Sequence, residues 1–338
     1  MNVKKILIPN KPHLDPIVAI YLLGQYGKDK FPGVCDAKII FWEYGYNPTE
    51  DELRQFEKDG VLMIDVGDGL FDHHNKKDGN EETSASLVAA YLGIEKMPEI
   101  SALLNYVRED DLEGLHNRFG DLAYLIKEMY KQNIPFEQVL QFVLQILHFF
   151  QNGQKEWHIN VKKEFEEKCK IYKIKRYKRK LKVGIIESDN LQVANYGLSV
   201  NNLSVVIQKR SSGHVMILTN KNHRIDLRES IAAIRKRELE LNGYRKPVDV
   251  KRLQFEGRDS LAPNWFYHGS LNSFLNGSDA LNKTEATKVP FENIIRFVLY
   301  SLTTEESELC DCAQGGQNCP YATYGFSKCI EKRRGSFR

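Results

Sequence analysis

Long hydrophobic runs are missing from this chain. No stretch approaches the roughly 20 consecutive apolar residues that span a bilayer, so no membrane-crossing helix is expected. The N-terminal "MNVKKILIPN" has a basic start without an apolar core of signal-peptide length, and it reads as a first strand. Excess charge of one sign is scarce as well. The 48 Lys and Arg against 45 Asp and Glu leave +3, so only local clusters can attract a polyanion. Cysteine is sparse: six in 338 residues fit free thiols or metal ligands in a reducing, cytoplasmic setting better than disulfides. There is no Walker-type loop, no G-x-G-x-x-G and no nucleophile elbow, hence no sign of those phosphate-binding and acyl-transfer devices.

What is present is the composition of a globular protein, 42% hydrophobic and 28% charged, in a length that favours two domains. "KKILIP", "AKIIFWEYG" and "VLMIDVG" read as short buried strands. They alternate with helical patterns in "DPIVAIYLLGQYG", "EDELRQFEKDG" and "ETSASLVAAYLGI", the last opening on a Thr83 or Ser84 cap. That alternation predicts a parallel sheet covered by helices. Helical periodicity continues from about Pro98 to Glu167. Beyond a basic tract, "KVGIIES", "LQVANYG", "LSVVIQKR" and "HVMILTN" are short and β-branched, which predicts an antiparallel sheet, and "DLRESIAAIRKRELELNG" a helix. The expected fold is α/β: an N-terminal parallel-sheet domain over 1–170, a basic linker over 171–182, and a smaller C-terminal α+β domain over 183–338.

The chemistry concentrates at the predicted strand ends, where open parallel sheets gather their ligands. "MIDVGDGLFDHHN" sets Asp65, Asp68, Asp72, His73 and His74 around one turn, and "NKPHLDPIVA" sets His13 and Asp15 around another. Carboxylates crowded near a sheet repel unless a cation or a hydrogen-bond network pairs them. Oxygen and imidazole donors without cysteine suit manganese, magnesium, zinc or iron rather than a purely structural zinc. Two such clusters with a bridging carboxylate are what a two-metal centre requires, and a metal pair activates water for displacement at phosphorus. Either Asp110 or Asp111 in "LLNYVREDDLEGL" could complete the donor set.

"PHLD", "DVG…DHH", "ETSASLVAAYLG" and "REDD" together resemble the successive motifs of the DHH phosphoesterase superfamily. Its members include manganese-dependent pyrophosphatases, single-strand exonucleases and cyclic-dinucleotide phosphodiesterases. The similarity is greatest to its MYG-like branch (melanocyte-proliferating-gene type), metal-dependent hydrolases with 3′→5′ RNA exonuclease activity. The resemblance covers about residues 1–115, and 250–290 loosely. It implies Mn2+ or Mg2+, two ions, on His13, Asp15, Asp65, His73 and Asp110 or Asp111. Asp72 and His74 would then orient that shell or contact the scissile phosphate. The chain departs from the pattern where Pro9 replaces the usual first histidine and His13 stands where many members have aspartate.

Three further stretches carry candidates. "LAPNWFYHGSLNSFLNGSDALNK" resembles the branch's Phe-x-His and Gly-rich segment, which implies substrate contacts from His268, Asn276 and Gly277; Arg258 could add a guanidinium fork. Without that resemblance it reads as an aromatic strand followed by turns. "KCKIYKIKRYKRKLK", interleaved with Tyr172 and Tyr177, is either a polyanion-binding tract or a solvated helix face or linker. Cys310, Cys312, Cys319 and Cys329 fall in a spacing that could hold a structural Zn2+, or could be redox-labile or core thiols; Cys35 and Cys169 read as chemically inert, in buried or helical contexts. His116, His148, His158, His214 and His223 lack sequence partners and read as surface or packing residues.

The expectation from all this is a metal-dependent phosphoesterase using metal-activated water, foremost a 3′→5′ exonuclease on single-stranded or short RNA. A pyrophosphatase or cyclic-dinucleotide phosphodiesterase is the alternative within enzymes, and a catalytically degenerate nucleic-acid-binding protein the alternative outside them. No membrane partner is expected, and a homo-oligomer is left open.

Overall fold

A computed structural model of the chain describes residues 2–42, 48–74, 82–277, 284–303 and 323–327. The four clustered cysteines, Cys310, Cys312, Cys319 and Cys329, lie outside the described residues. The chain divides into two compact units, Met1–His158 and Ile159–Arg338.

The first unit begins with β1 (Lys5–Pro9), whose central Ile6, Leu7 and Ile8 are buried. Then come α1 (Leu14–Tyr26), β2 (Lys38–Trp42), α2 (Glu50–Lys58), β3 (Val61–Met63) and α3 (Ser84–Leu92). The three strands form a parallel sheet in the order β2-β1-β3, as the alternating pattern predicts. Helix α1 is apolar on most sides because its neighbours cover it: Leu14, Ile17, Val18, Leu22 and Leu23 are all at most 1% exposed. Polar α2 sets Leu53 and Phe56 against Leu7, Val61, Met63 and Val66, and its N-terminus is closed by a reciprocal capping box of Thr49 and Glu52. Gly60 ends that segment at φ +75°, and its carbonyl accepts from the Lys4 and Lys5 amides, so it aligns β3 beside β1. Thr83 caps α3 through a second box with Ser86, and Gly93 closes it in the left-handed region. Helices α4 (Pro98–Asp111), α5 (Leu122–Lys131) and α6 (Phe136–Lys155) complete the core with Ile100, Leu103, Val107, Val143 and Leu147.

The second unit opens with α7 (Lys162–Lys168). It holds a seven-stranded sheet in the order β4-β5-β6-β7-β10-β9-β8. These strands are β4 (Lys170–Arg176), β5 (Arg179–Glu187), β6 (Val205–Lys209), β7 (Val215–Thr219), β8 (Gly257–Arg258), β9 (Phe266–His268) and β10 (Ser273–Leu275). Three expectations are corrected here. The supposed linker 171–182 is most of the β4–β5 hairpin, because Ile174, Leu181 and Val183 alternate inward among lysines. "LQVANYG" is α8 (Gln192–Ser199), not a strand: Val193, Ala194, Tyr196 and Gly197 bury one helical face, and the Asn190 side chain accepts from the Gln192 amide at its start. That helix returns the chain so that β5 and β6 pair in parallel, and the sheet is mixed rather than antiparallel.

Helices α9 (Arg228–Leu241) and α10 (Phe291–Leu302) pack on this sheet. Fully buried Arg235 donates to the carbonyls of Leu253, Phe255, Gly257 and Trp265, with its guanidinium carbon 5.4 Å from the centroid of the Phe274 ring. Burial lowers its pKa to about 10. One turn along, Glu238 accepts from the Trp265 indole, the Thr287 hydroxyl and the Lys288 amide. Cys35 is exposed within a single helical turn, Val34–Asp36, one of the two settings expected of it, and burial pushes the Cys169 thiol up to about 11. No helix among the described residues is long and apolar enough to cross a membrane.

A Cβ at position 60 would meet the Asn2 carbonyl oxygen at 2.5 Å in a backbone conformation that L-residues avoid. Gly60→Ala is therefore expected to destabilise the first unit by about 2 kcal/mol, read as a lower denaturation midpoint with an unchanged slope.

Candidate functional site

Each donor sits where a regular element starts or stops. His13 is the residue before α1, and Asp15 lies in that helix's first turn, where the helix dipole favours a carboxylate. Asp65 lies two residues after β3, just past the Ile64–Phe71 bridge, at φ +60°, and Asp68 in the next turn has φ +53°. Such left-handed backbone at non-glycine residues is sparsely populated and marks a segment held by its surroundings. Asp65 donates its amide to the Phe71 carbonyl at 3.0 Å, which folds the segment back on itself. Asp110 and Asp111 are the last two residues of α4, where the dipole disfavours carboxylates, so a local partner must offset it.

Asp15, Asp65 and Asp111 converge with His13, His73 and His74. Three overlapping groups, Asp65–His73–His74, His13–Asp15–Asp65 and Asp15–His73–Asp111, each offer donor atoms within 4.8 Å of one another. Asp65 is shared by the first two and Asp15 by the last two. Between His13 Nε2 and Asp111 Oδ1 the distance is 2.9 Å, and from His73 Nε2 to Asp65 Oδ1 it is 3.2 Å. Asp15 is fully buried and accepts the Ser84 and Ala85 amides of α3, each at 2.8 Å. Ser84 also donates its hydroxyl to Asp65 at 3.2 Å. The sequence signals Ser84 only as a helix cap; its second role comes from the free amides at the start of α3 facing the strand ends.

Asp72 stands behind this cluster. Its Oδ2 accepts the Asp68 amide at 2.9 Å, and its Oδ1 accepts the His74 amide at 3.1 Å and the His74 ring nitrogen at 2.8 Å. Burial opposes its ionisation, but those donors outweigh burial and hold its carboxyl below the ordinary range. His74 itself is 57% exposed in its side chain, against 12% for His73.

The two adjacent aspartates separate cleanly. In α4 the buried stripe runs Ile100, Leu103, Val107, Asp110, so Asp110 continues the core-facing row. It lies 3.9 Å from Lys127, outside the three donor groups. Asp111, about 100° further round the helix, is the one that meets the histidines. Helical periodicity carries this distinction.

The titration behaviour reports crowding of negative charge. Burial and the Asp65 charge push Asp15 up to about 6. Asp65 raises the pKa of His73. Burial would lower that of His13, yet the Asp111 hydrogen bond and the surrounding carboxylates raise it. His73 Nε2 and Asp111 Oδ2 are buried without a hydrogen-bond partner; His73 is near enough to Asp65 but poorly aligned with it. Unpaired buried donors of oxygen and imidazole type, all converging on one spot, are a set that could hold a divalent cation. Pro9, the last residue of β1, offers no ligand there.

The other candidates lie in the second unit. His268 ends β9 and is half-buried, with Nδ1 3.2 Å from the Ser270 hydroxyl and 3.4 Å from the Leu271 amide. Arg258 is exposed on β8. Asn276 is fully buried: its amide donates to the carbonyls of Asn264 and Glu285 and accepts from the Thr287 amide. It clamps three backbone segments and has no face for a substrate, which corrects its expected role. Gly277 at φ +62° lies where a Cβ would meet Thr284 at 2.6 Å. His116 has partners after all, bonded to Glu109 at 2.9 Å and stacked on Tyr106.

If Asp72 is what shapes the turn, Asp72→Ala should speed hydrogen exchange of the Asp68 and His74 amides by tenfold or more, since each loses about 1.5–3 kcal/mol of charge-assisted bonding. Amides in β1 should be unaffected, as read by mass spectrometry or NMR.

The chain matches no protein-family model and none of the curated proteins. Its structure is similar to the crystal structure of an uncharacterized protein from Helicobacter pylori G27, at 11% identity, covering 88% of this chain and 99% of that one with a TM-score of 0.25. A likeness at that score carries no argument about fold or function.

Proposed function

We propose that the protein is a metal-dependent phosphoester hydrolase of the DHH type, acting foremost as a 3′→5′ exonuclease on single-stranded or short RNA. The observation that carries the reading is the convergence of Asp15, Asp65 and Asp111 with His13, His73 and His74 at the ends of β1, β3 and α4, with Asp65 common to two donor groups. His13, Asp15, Asp65, His73 and Asp111 would hold manganese or magnesium, with His74 left for the substrate. When bound, a metal pair lowers the pKa of water and draws charge off phosphoryl oxygens.

The chain's own residues supply the rest. Asp15 fixes the start of α3 against the centre through two amides, so the donors are set before substrate arrives. Asp72 holds the His74 ring by Nδ1. Exposed His74 is thereby the imidazole able to reach a bound phosphate and to carry a proton at the leaving oxygen. The RNA preference rests on the resemblance to the MYG-like branch.

Two measurements test this. Millimolar Mn2+ should raise the thermal midpoint of the wild type, as a ligand held only by the folded state must. The rise should vanish in Asp65→Asn and Asp111→Asn and persist in Asp110→Asn; equal shifts in all four proteins would refute the donor assignment. On a 5′-labelled RNA ladder with Mn2+, the wild type should shorten the RNA stepwise from its 3′ end. The His73→Ala, His74→Ala double variant should be slower by at least about 1,000-fold, the scale of lost electrostatic and acid–base assistance. Silence on RNA together with turnover of pyrophosphate would move the substrate to small phosphorylated molecules.

A further inference from the structure

The β4–β5 hairpin contains a feature that its own stability opposes. From Lys173 to Lys182 the sequence KIKRYKRKLK has seven cations and no carboxylate. The register sets Lys173 opposite Lys182, Lys175 opposite Lys180 and Arg176 opposite Arg179. Like charges directly across an antiparallel pair are destabilising. Three of the four cross-strand pairs nearest the turn accept that repulsion.

An ordinary explanation covers part of it. β4 is an edge strand, and lysines on an edge deter unwanted pairing with other chains. Pairing of β5 with β6 begins at Val183, so edge protection reaches Arg179 and Lys180 on β5 as well, but it does not call for cations set directly opposite one another. Nor are the lysines filling a surface with balanced charge: among the described residues no ion pair joins Lys173, Arg179, Lys180 or Lys182 to a carboxylate. The apolar residues of the ribbon, Ile174 and Leu181, face the core, while Lys173, Lys180 and Lys182 are exposed. Tyr177, at the turn with φ +53°, is 76% exposed, whereas Tyr172 lies on the Ile174 face, away from Lys173 and Lys182.

We propose that this ribbon is the docking surface for the phosphate backbone of single-stranded RNA. Cross-strand lysine pairs place positive charge in a row along one face of an extended ribbon, which suits a phosphodiester chain, and exposed Tyr177 at the turn offers a face on which an unpaired base stacks. The choice of RNA rests on the phosphoesterase reading above; the presence of a nucleic-acid site on the ribbon does not.

The test is fluorescence anisotropy of a labelled single-stranded RNA, in EDTA so that no strand is cut, with the full chain and with a Lys173→Gln, Lys180→Gln, Lys182→Gln variant. The variant should bind roughly 10- to 100-fold more weakly, and its log K against log[salt] slope should fall by about 2, near 0.7 for each phosphate no longer neutralised. Its thermal midpoint should hold or rise, because charge repulsion is relieved; a merely structural role would lower it. A duplex of the same sequence should bind more weakly than the single strand. Equal affinity and equal salt slope in the two proteins would overturn the proposal, as would retention of anionic vesicles or an acidic protein with no affinity for RNA. Hydrolysis of bis-p-nitrophenyl phosphate by the wild type with Mn2+ reports on the metal centre separately. RNA binding through the ribbon without that hydrolysis would overturn the enzymatic reading alone, and hydrolysis without RNA binding would overturn the ribbon alone.

Discussion

Everything in the first unit turns on keeping three carboxylates together in a place with little water. Asp15 and Asp65 are 0% and 3% exposed, and Asp111 is close beside them. Left to themselves, like charges at such range would protonate or separate. Two devices oppose that. The first turn of α3 presents the Ser84 and Ala85 amides to Asp15, and the imidazoles of His13 and His73 stand between the carboxylates. The folding of α3 and the assembly of the site are thus one event: without the Thr83 capping box the amides would not be aimed, and without the carboxylate they would lack an acceptor.

The second unit solves a related problem differently. Arg235 and Glu238, one turn apart on α9, are both buried, yet they are not each other's partners. Each is wrapped by backbone and neutral groups from the stretches 253–265 and 287–288, which contain or flank the short strands β8, β9 and β10. Arg235 commits both terminal nitrogens to four carbonyls and leaves only Nε unpaired, and Glu238 accepts three bonds; charges buried with that many partners are costly to misplace, so these two residues specify where those stretches lie. Asn276 does the same on a smaller scale. The polar groups inside this unit are scaffolding, whereas those at the strand ends of the first unit converge on open donor atoms.

Legibility in the sequence follows the range of the forces involved. The β-α-β-α-β-α order, the glycine closing EDELRQFEKDG and a cap at Thr83 or Ser84 are written within a few neighbouring residues, and the structure contains the order, the Gly60 turn and the Thr83 cap. Composition misleads at α8 because Val193 and Tyr196 are strand formers; only their spacing in a buried face, with Asn190 at the start, makes them helical. It misleads again at the β4–β5 hairpin, where lysines dominate a period-two pattern carried by Ile174, Leu181 and Val183. Arg235 and Glu238 have no signal at all, since a charged pair on a helix ordinarily faces solvent.

By itself the sequence determined which donor types exist and that they fall at element ends: His13 and Asp15 before and in α1, Asp65 to His74 after β3, Asp110 and Asp111 at the end of α4. Those facts depend on local hydrophobic period and turn chemistry. Only the tertiary structure decided which of them meet. His13 and Asp111 are 98 positions apart and bonded at 2.9 Å, a distance set by how α1, α3 and α4 pack on one another. Asp110 and Asp111 are neighbours in sequence, yet the buried stripe of α4 turns one toward Lys127 and the other toward the histidines. Packing decides that rotation, because burying Ile100, Leu103 and Val107 leaves α4 a single favourable face to set against the core.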